Sequence, residues 1–97
     1  EDIEEILSYV KNFCLELSED LKRKNVYIKT ITFKYKTSSF ENHTRSRSLT
    51  YYTNDFSTIY KVAEEIVKDE KFIGSIRLIG ITVSSIKEEK VEQLKLF

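Results

Sequence analysis

The sequence is poor in the residues on which many catalytic and metal sites depend. It has one cysteine, Cys14, which excludes an internal disulfide, and no cluster of ligands that suggests a zinc site. Its only glycines, Gly74 and Gly80, cannot form a glycine-rich phosphate loop. A catalytic triad would have to combine the single histidine, His43, with residues from distant elements. We therefore expect no catalytic residue and no metal site here, with Cys14 in the core and His43 on an exposed strand.

Long apolar runs are also missing. No stretch approaches the roughly 18 apolar residues of a membrane span, so we expect no membrane partner. The 97 residues suffice for one domain with a modest core, and 40% hydrophobic and 12% aromatic residues favour a packed one. The chain does not begin with methionine, and we expect it to be part of a longer protein. We expect a reducing, cytoplasmic setting.

The charges balance overall but are segregated along the chain. Residues 1–21 carry seven acidic side chains and one basic side chain. Residues 22–53 carry eight basic side chains and one acidic side chain, a local net charge of +7. A basic middle segment indicates a polyanionic partner, and the acidic first element indicates that this partner touches one side of the domain only.

The hydrophobic spacing predicts two helices and three strands. Apolar residues recur every three or four positions over residues 3–24, which is typical of an amphipathic helix. "NVYIKTITFKYKT" alternates between apolar and polar residues, and "SSFENHTRSRSLTYYT" follows as its hairpin partner. A second helix is expected to begin at Asn54 or Asp55, and "IRLIGITVSSI" is the last β-rich run. The order helix-strand-strand-helix-strand predicts an α+β fold, with two helices on one face of an antiparallel sheet.

The uncovered sheet face is the candidate binding surface. Basic and hydroxyl side chains concentrate on the two hairpin strands and form a field suited to phosphate groups: Thr32, Lys34, Lys36, Thr44, Arg45, Ser46, Arg47 and Ser48. Contact with a nucleic-acid backbone is one interpretation. A solvated polar surface is the other, and the charge pattern alone favours neither.

The alternation of side chains raises a difficulty for this surface. Arg45 and Arg47 alternate with Thr44 and Ser46, so that arginines and hydroxyls cannot share one face of a regular strand. Either one set projects past the core at a sheet edge, or a β-bulge resets the register. Arg77 has the same parity as the apolar residues of the last strand, and its direction is equally open.

Taken together, these segments resemble a known family. The stretch "KTITFKYKTSSFENHTRSRSL", followed by a helix and "IRLIGITVSSI", looks like the little-finger domain of Y-family translesion DNA polymerases. The most similar branch is that of bacterial polymerase IV and the ImpB/MucB/SamB mutagenesis polymerases. The resemblance begins at the helix segment "FCLELSEDL" and runs to the end of the chain. Its most specific pieces are F-x-x-x-T-R-S, R-L-I-G-I and the final pentapeptide.

The resemblance implies a DNA-gripping role in translesion synthesis. The parent protein would be a DNA-directed DNA polymerase in the cytoplasm, at the nucleoid, with Mg²⁺ bound by palm-domain carboxylates that are absent here. Matched positions, together with the hydroxyl field, assign contact with the duplex DNA backbone to Thr32, Lys34, Lys36, Thr44, Arg45, Ser46, Arg47 and Arg77. The alternative function is that of a free-standing protein-interaction domain whose basic sheet face is only solvated.

The sequence ends in a short apolar segment, "VEQLKLF", after a charged run. We interpret residues 1–87 as the little-finger-like domain and residues 88–97 as a flexible tail. Residues 93–97 are similar to the Q-L-x-L-F peptide with which bacterial polymerases attach to the sliding clamp, and the four clamp-binding side chains would be Gln93, Leu94, Leu96 and Phe97. A mobile tail can present three apolar groups to a groove on a partner.

One departure from the family has a structural consequence. The family's little finger begins with a strand that lies beside the last strand, and this chain starts directly in the helix. Without that strand, "RLIGITVSS" would expose an apolar edge, which favours association. We therefore expect the isolated chain to self-associate by pairing this edge with that of a second copy.

Overall fold

The computed structural model describes residues 2–88. Two helices and three long strands follow one another in the predicted order, helix-strand-strand-helix-strand, which confirms the α+β class, and a two-residue strand comes after them. The clamp-peptide prediction falls on residues 93–97, outside the described part. Across residues 2–88 no helix combines the length and apolar character needed to cross a membrane. In chain order the elements are α1 (Ile3–Lys24), β1 (Val26–Thr37), β2 (Asn42–Thr53), α2 (Phe56–Asp69), β3 (Ile76–Ser84) and β4 (Lys87–Glu88).

Both predicted helices have the caps that their sequences provide. The carboxylate of Asp2 accepts a hydrogen bond from the Glu5 amide at 2.9 Å, which satisfies one free amide in the first turn of α1. At the other end Asn25 adopts the left-handed conformation (φ 57°) that often terminates a helix. Asp55 caps α2 in the same way as Asp2 caps α1, accepting from the Thr58 amide at 3.0 Å. Of the two predicted starts of the second helix, Asn54 and Asp55, the structure confirms Asp55.

β1 is the central strand of an antiparallel sheet with the order β2-β1-β3. The β1–β2 register runs without a shift from the pair Thr30–Ser48 to the pair Lys36–Asn42. β3 pairs with the opposite edge of β1, and β4 continues along that edge to pair with the first residues of β1. The two sides of β1 are therefore both hydrogen-bonded, whereas β2 and β3 each pair only with β1 within residues 2–88.

The helices pack on one face of this sheet and bury a single core. Phe33 in β1 is fully buried, stacks on Tyr35 with ring centroids 5.4 Å apart, and contacts Phe72 edge to face with ring centroids 6.1 Å apart. Cys14 is fully buried in α1, as predicted, and burial raises the pKa of its thiol to about 12. The apolar alternation of β1 thus supplies the sheet's half of the core, since every second side chain points to the same face.

Two side-chain hydrogen bonds and one glycine stabilise the connections between the helices and the strands. The buried Ser18 hydroxyl donates to the backbone carbonyl of Asn54 at 2.8 Å, and the Asn54 amide group donates to the carbonyl of Val26 at 3.3 Å. α1, β1 and the start of α2 are thereby joined. Between α2 and β3, Gly74 adopts φ +82°, a conformation that other residues adopt only with strain.

Candidate nucleic-acid interface

The sheet face opposite the helices, here called the open face, combines lysines with hydroxyl groups. Residues directly opposite each other in an antiparallel pair share one face. Thr32 is paired with Ser46 and Lys34 with Thr44, while Phe33 between them is in the core. On the other side of β1, Gly80 and Thr82 lie opposite Lys34 and Thr32. Five of the eight predicted DNA-binding residues therefore lie together on the open face: Thr32, Lys34, Lys36, Thr44 and Ser46.

Hydroxyl pairs run across the open face. The hydroxyls of Thr32 and Ser46 are 2.7 Å apart, and those of Thr30 and Ser48 are 2.8 Å apart. Thr30 also lies 3.0 Å from the Ser85 hydroxyl. A hydroxyl group has one donor and two acceptor positions. A pair that shares one hydrogen bond therefore keeps a donor for an incoming anion.

A shallow depression lies between the two lysines. It has a volume of about 380 Å³ and is lined by residues of all three long strands, including Lys34, Lys36, Thr44 and Gly80. A β-carbon added at Gly80 would meet no atom within 4 Å, so this position is open to an approaching ligand. Glycine inside a strand often marks such a close approach.

Arg45 and Arg47 lie on the other side of the sheet. They pair with Phe33 and Ile31, whose side chains are buried under the helices. Because β2 is an edge strand, the arginines project past the core and reach acidic residues of α2 and its C-terminal cap. The sheet-edge alternative is thus the correct one, and no bulge interrupts β2 between Asn42 and Ser48. The ion pairs join Arg45 to Glu70 at 2.8 Å, and Arg47 to Glu65 and Asp69 at 3.3 and 3.0 Å.

Glu70 was not identified from the sequence, although it organises this edge. Its side chain is only 8% exposed, and it accepts hydrogen bonds from both Arg45 and the Tyr35 hydroxyl. Burial, and then the hydrogen bond to Glu70, raise the pKa of Tyr35 to about 12. An acidic residue just after a helix gives no sequence signal of this role, because helix ends are commonly solvated.

Arg77 lies at the hairpin end of the sheet. The β1–β3 register shifts between Lys36 and Thr37, which removes Arg77 from the simple alternation of β3. Its guanidinium carbon is 4.7 Å from the centre of the Phe40 ring, in the turn between β1 and β2. Lys36 extends over the same ring, with Nζ 5.9 Å from its centre. The irregular register therefore brings Arg77 next to a cation of the open face.

A similar arrangement at the other end of the sheet was also missed. The Lys29 and Lys87 ammonium groups lie 5.0 and 5.3 Å from the centre of the Tyr52 ring. His43 lies on a strand as predicted, but it is half-buried and stacks on Tyr35 with ring centroids 4.8 Å apart. Nowhere in residues 2–88 do three His, Cys, Asp or Glu side chains group closely enough to hold a metal ion.

Comparison of the sequence with known proteins assigns the chain to a family. Residues 1–96 match the model of the impB/mucB/samB family C-terminal domain. The chain is 37% identical over 86 residues to DNA polymerase IV of Listeria monocytogenes, covering 87% of the chain and 24% of that relative. DNA polymerase IV of Ureaplasma parvum is 33% identical over 98 residues (99% of the chain, 27% of the relative). DNA polymerase kappa of Arabidopsis thaliana is 41% identical over 73 residues (75% and 11%).

The chain matches only part of each bacterial relative. The chain spans about a quarter of the length of these curated relatives. The family predicted from the sequence motifs is confirmed at the level of the domain. The chain belongs to the impB/mucB/samB family, as the C-terminal domain of a Y-family polymerase.

Proposed function

We propose that this domain grips duplex DNA for a translesion polymerase, through phosphate contacts on the open face. The observation that carries the proposal is the separation of charge between the two sides of the sheet. The open-face positions of β1 from Thr30 to Lys36, and the residues opposite them in β2 and β3, carry no carboxylate. They are lysines, hydroxyls and one amide, apart from Gly80 and the exposed Leu78. The acidic partners Glu65, Asp69 and Glu70 lie on the helix side. A polyanion is therefore attracted to one side only.

The proposed contacts are to the backbone of the duplex rather than to its bases. Short hydroxyls allow close approach and bond phosphate oxygens, while lysine acts as a point charge without a preferred base edge. The open face therefore suits a polymerase domain that must bind DNA of any sequence. Lys34, Lys36 and Arg77 supply the charges, with Thr32, Thr44 and Ser46 as hydrogen-bonding groups.

Arg45 and Arg47 can contribute only by sharing their carboxylate partners with phosphate. Their side chains are 49% and 43% exposed, so a phosphate group could reach them. The Arg47 ion pairs are exposed on both partners and contribute little to stability, so exchange of partners is inexpensive there. Glu70 is only 8% exposed, so drawing Arg45 away from it costs more. We propose them as secondary contacts at the sheet edge.

Salt titration of duplex binding tests this function. For phosphate contacts, the logarithm of the binding constant should fall linearly with the logarithm of salt concentration, by about 0.9 for each neutralised phosphate. Two duplexes of unrelated sequence should bind with similar affinity. Binding that is insensitive to salt, or no binding at all, would support instead a protein-interaction domain with a solvated basic face.

The activity of the whole protein is part of the proposal. The relatives are named DNA polymerases, and by this analogy we propose a parent enzyme that transfers nucleotides with Mg²⁺ held by carboxylates outside this domain. Translesion synthesis would place it in the cytoplasm at the nucleoid. This domain would contribute DNA binding rather than catalysis.

We also propose that residues 93–97 tether the polymerase to a bacterial sliding clamp. Leu94, Leu96 and Phe97 would fill an apolar groove, with Gln93 giving a directional hydrogen bond. Phe97→Ala should weaken clamp binding by about 2 kcal/mol or more, roughly 30-fold, as for an aromatic anchor in a pocket. Titration calorimetry with the clamp measures it, and Lys95→Ala is the control. Equal affinity of the Phe97 variant and the unchanged chain would dismiss the tether.

Self-association through β3 is a further proposal. β3 pairs with β1 alone among residues 2–88, and its Leu78 side chain is 59% exposed. A depression of about 300 Å³ lies between this strand and α1, and Tyr9 lines it. Edge strands with apolar side chains tend to pair with another copy. Light scattering should therefore show a mass that rises with concentration, and Leu78→Lys should lower it. A constant monomer mass at high concentration would contradict the proposal.

A further inference from the structure

Phe40 occupies an unfavourable place for a phenylalanine. It lies in the turn between β1 and β2, where its amide donates to the carbonyl of Thr37 at 2.9 Å. Its φ is +67°, in the left-handed region that residues other than glycine, asparagine and aspartate rarely adopt. The ring is 61% exposed and lies outside the buried core. Neither the turn geometry nor core packing explains this residue, since glycine or asparagine would serve the turn better.

The ring does have a contact pattern that explains it. Two cations from different strands lie against it, Arg77 from β3 at 4.7 Å and Lys36 from β1 at 5.9 Å from the ring centre. Both distances are within the range of cation–π attraction. Neither cation forms an ion pair within residues 2–88, in contrast to Arg45 and Arg47. Two like charges are thus held near each other with no ion-pair partner among the described residues, although like charges repel.

We infer that Phe40 is a positioning residue for DNA binding, which holds Lys36 and Arg77 on one ring so that both meet the phosphates of a duplex backbone together. This inference rests on the proposed function. Long basic side chains lose rotamer freedom when they bind, and a contact that already restricts them lowers that cost. An unpaired pair of cations is also stabilised as soon as an anion lies between them. On this inference, the strained backbone conformation at Phe40 serves DNA binding and does not stabilise the fold.

The flanking charges argue for phosphate as the ligand of this cluster. An exposed phenylalanine in a protein-docking site would be expected among other apolar side chains. Phe40 instead has two cations against its ring, and the hydroxyl-rich open face begins at Lys36, where Leu78 is the one exposed apolar side chain in the described register. The cluster therefore extends the phosphate-binding surface to the hairpin end of the sheet.

Three substitutions of Phe40 test the inference on the full chain. Phe40→Leu keeps an apolar side chain but removes the aromatic face, and should weaken duplex binding about 5- to 10-fold with an unchanged salt slope, because the same charges still reach DNA. Phe40→Trp should retain full affinity, since tryptophan attracts cations best. Phe40→Gly should raise the midpoint of thermal unfolding, through relief of the backbone strain, and yet weaken binding. Fluorescence anisotropy and a thermal melt give both readouts.

A double-mutant comparison shows whether the ring acts through the cations. With Lys36 and Arg77 both changed to alanine, Phe40→Leu should have no further effect on affinity. Tyr51→Leu is the matched control: this tyrosine is 54% exposed, and no cation lies over its ring within the described residues, so its change should not alter binding.

Each contrary result has a distinct meaning. If Phe40→Leu binds like the unchanged chain while the Lys36→Ala/Arg77→Ala variant is weakened, the inference is wrong and the proposed function stands. An equal loss from Phe40→Leu in both backgrounds would also overturn it, because the ring would then contact DNA directly. If removing both cations leaves affinity unchanged, the phosphate contacts proposed at this end of the sheet fail together with the inference.

Discussion

Duplex binding should fall roughly 60-fold at about 0.1 M salt when Lys34 and Lys36 are both changed to alanine. The estimate follows from the loss of two phosphate contacts, each worth about 0.9 in the slope of log K against log salt. The slope should become shallower by about 1.8, and the two proteins should converge as salt approaches 1 M. Folding should be little affected, because both side chains extend from the open face rather than into the core.

A control of equal charge separates the surface from the net charge. Lys11 and Lys61 are exposed on α1 and α2, and their joint change to alanine alters the net charge of the chain by the same two units. This variant should bind nearly as well as the unchanged chain. Arg45→Ala should cause an intermediate loss that is the same for all duplex sequences, since its guanidinium is engaged by Glu70. Equal losses in the open-face and helix-side variants would refute the one-sided surface.

The largest effect on stability is expected from Phe33→Ala. This side chain is fully buried and contacts the rings of Tyr35 and Phe72. Removing a buried phenylalanine ring typically costs about 3–5 kcal/mol of unfolding free energy, through lost burial and the cavity left behind. For a domain of this size, that corresponds to a fall in the melting midpoint of roughly 15–30 °C. Calorimetry or a urea titration followed by circular dichroism measures it.

The neighbouring open-face position provides the matched control. Thr32 precedes Phe33 in the same central strand, and its side chain points to the opposite face. Thr32→Ala should change the unfolding free energy by less than about 1 kcal/mol, the usual limit for a cross-strand hydroxyl pair. A similar destabilisation by the two changes would mean that β1 does not separate a packed face from a solvated one.

The fold was predictable because its periodicities are strong. Apolar residues recur at helical spacing over the whole of α1, and Asp55 gives a clear start signal for α2. The alternation of β1 from Ile31 to Thr37 assigned its two faces correctly. The register shifts of the sheet and the extra strand β4 were not predictable, since they depend on contacts between segments far apart in sequence.

The candidate site was predictable only in part. Residue types indicated Lys34, Lys36 and the hydroxyls beside them, because strand alternation is local. The direction of Arg45 depended on β2 being an edge strand beside acidic residues of α2, which is a tertiary property. Phe40 is the first residue of the F-x-x-x-T-R-S motif, but its contacts with Lys36 and Arg77 depend on a turn conformation and a register shift that the sequence does not show.

The two faces of β1 have an implication for how this domain can diverge. Core residues and surface residues occupy alternate positions of one strand, so that the period of two keeps their physical roles separate. Exchanging a lysine or threonine of the open face alters what the sheet can hold without touching the packing beneath it. Among relatives, substitutions on the open face can therefore change the affinity for DNA without changing the stability of the fold, and core substitutions can do the reverse.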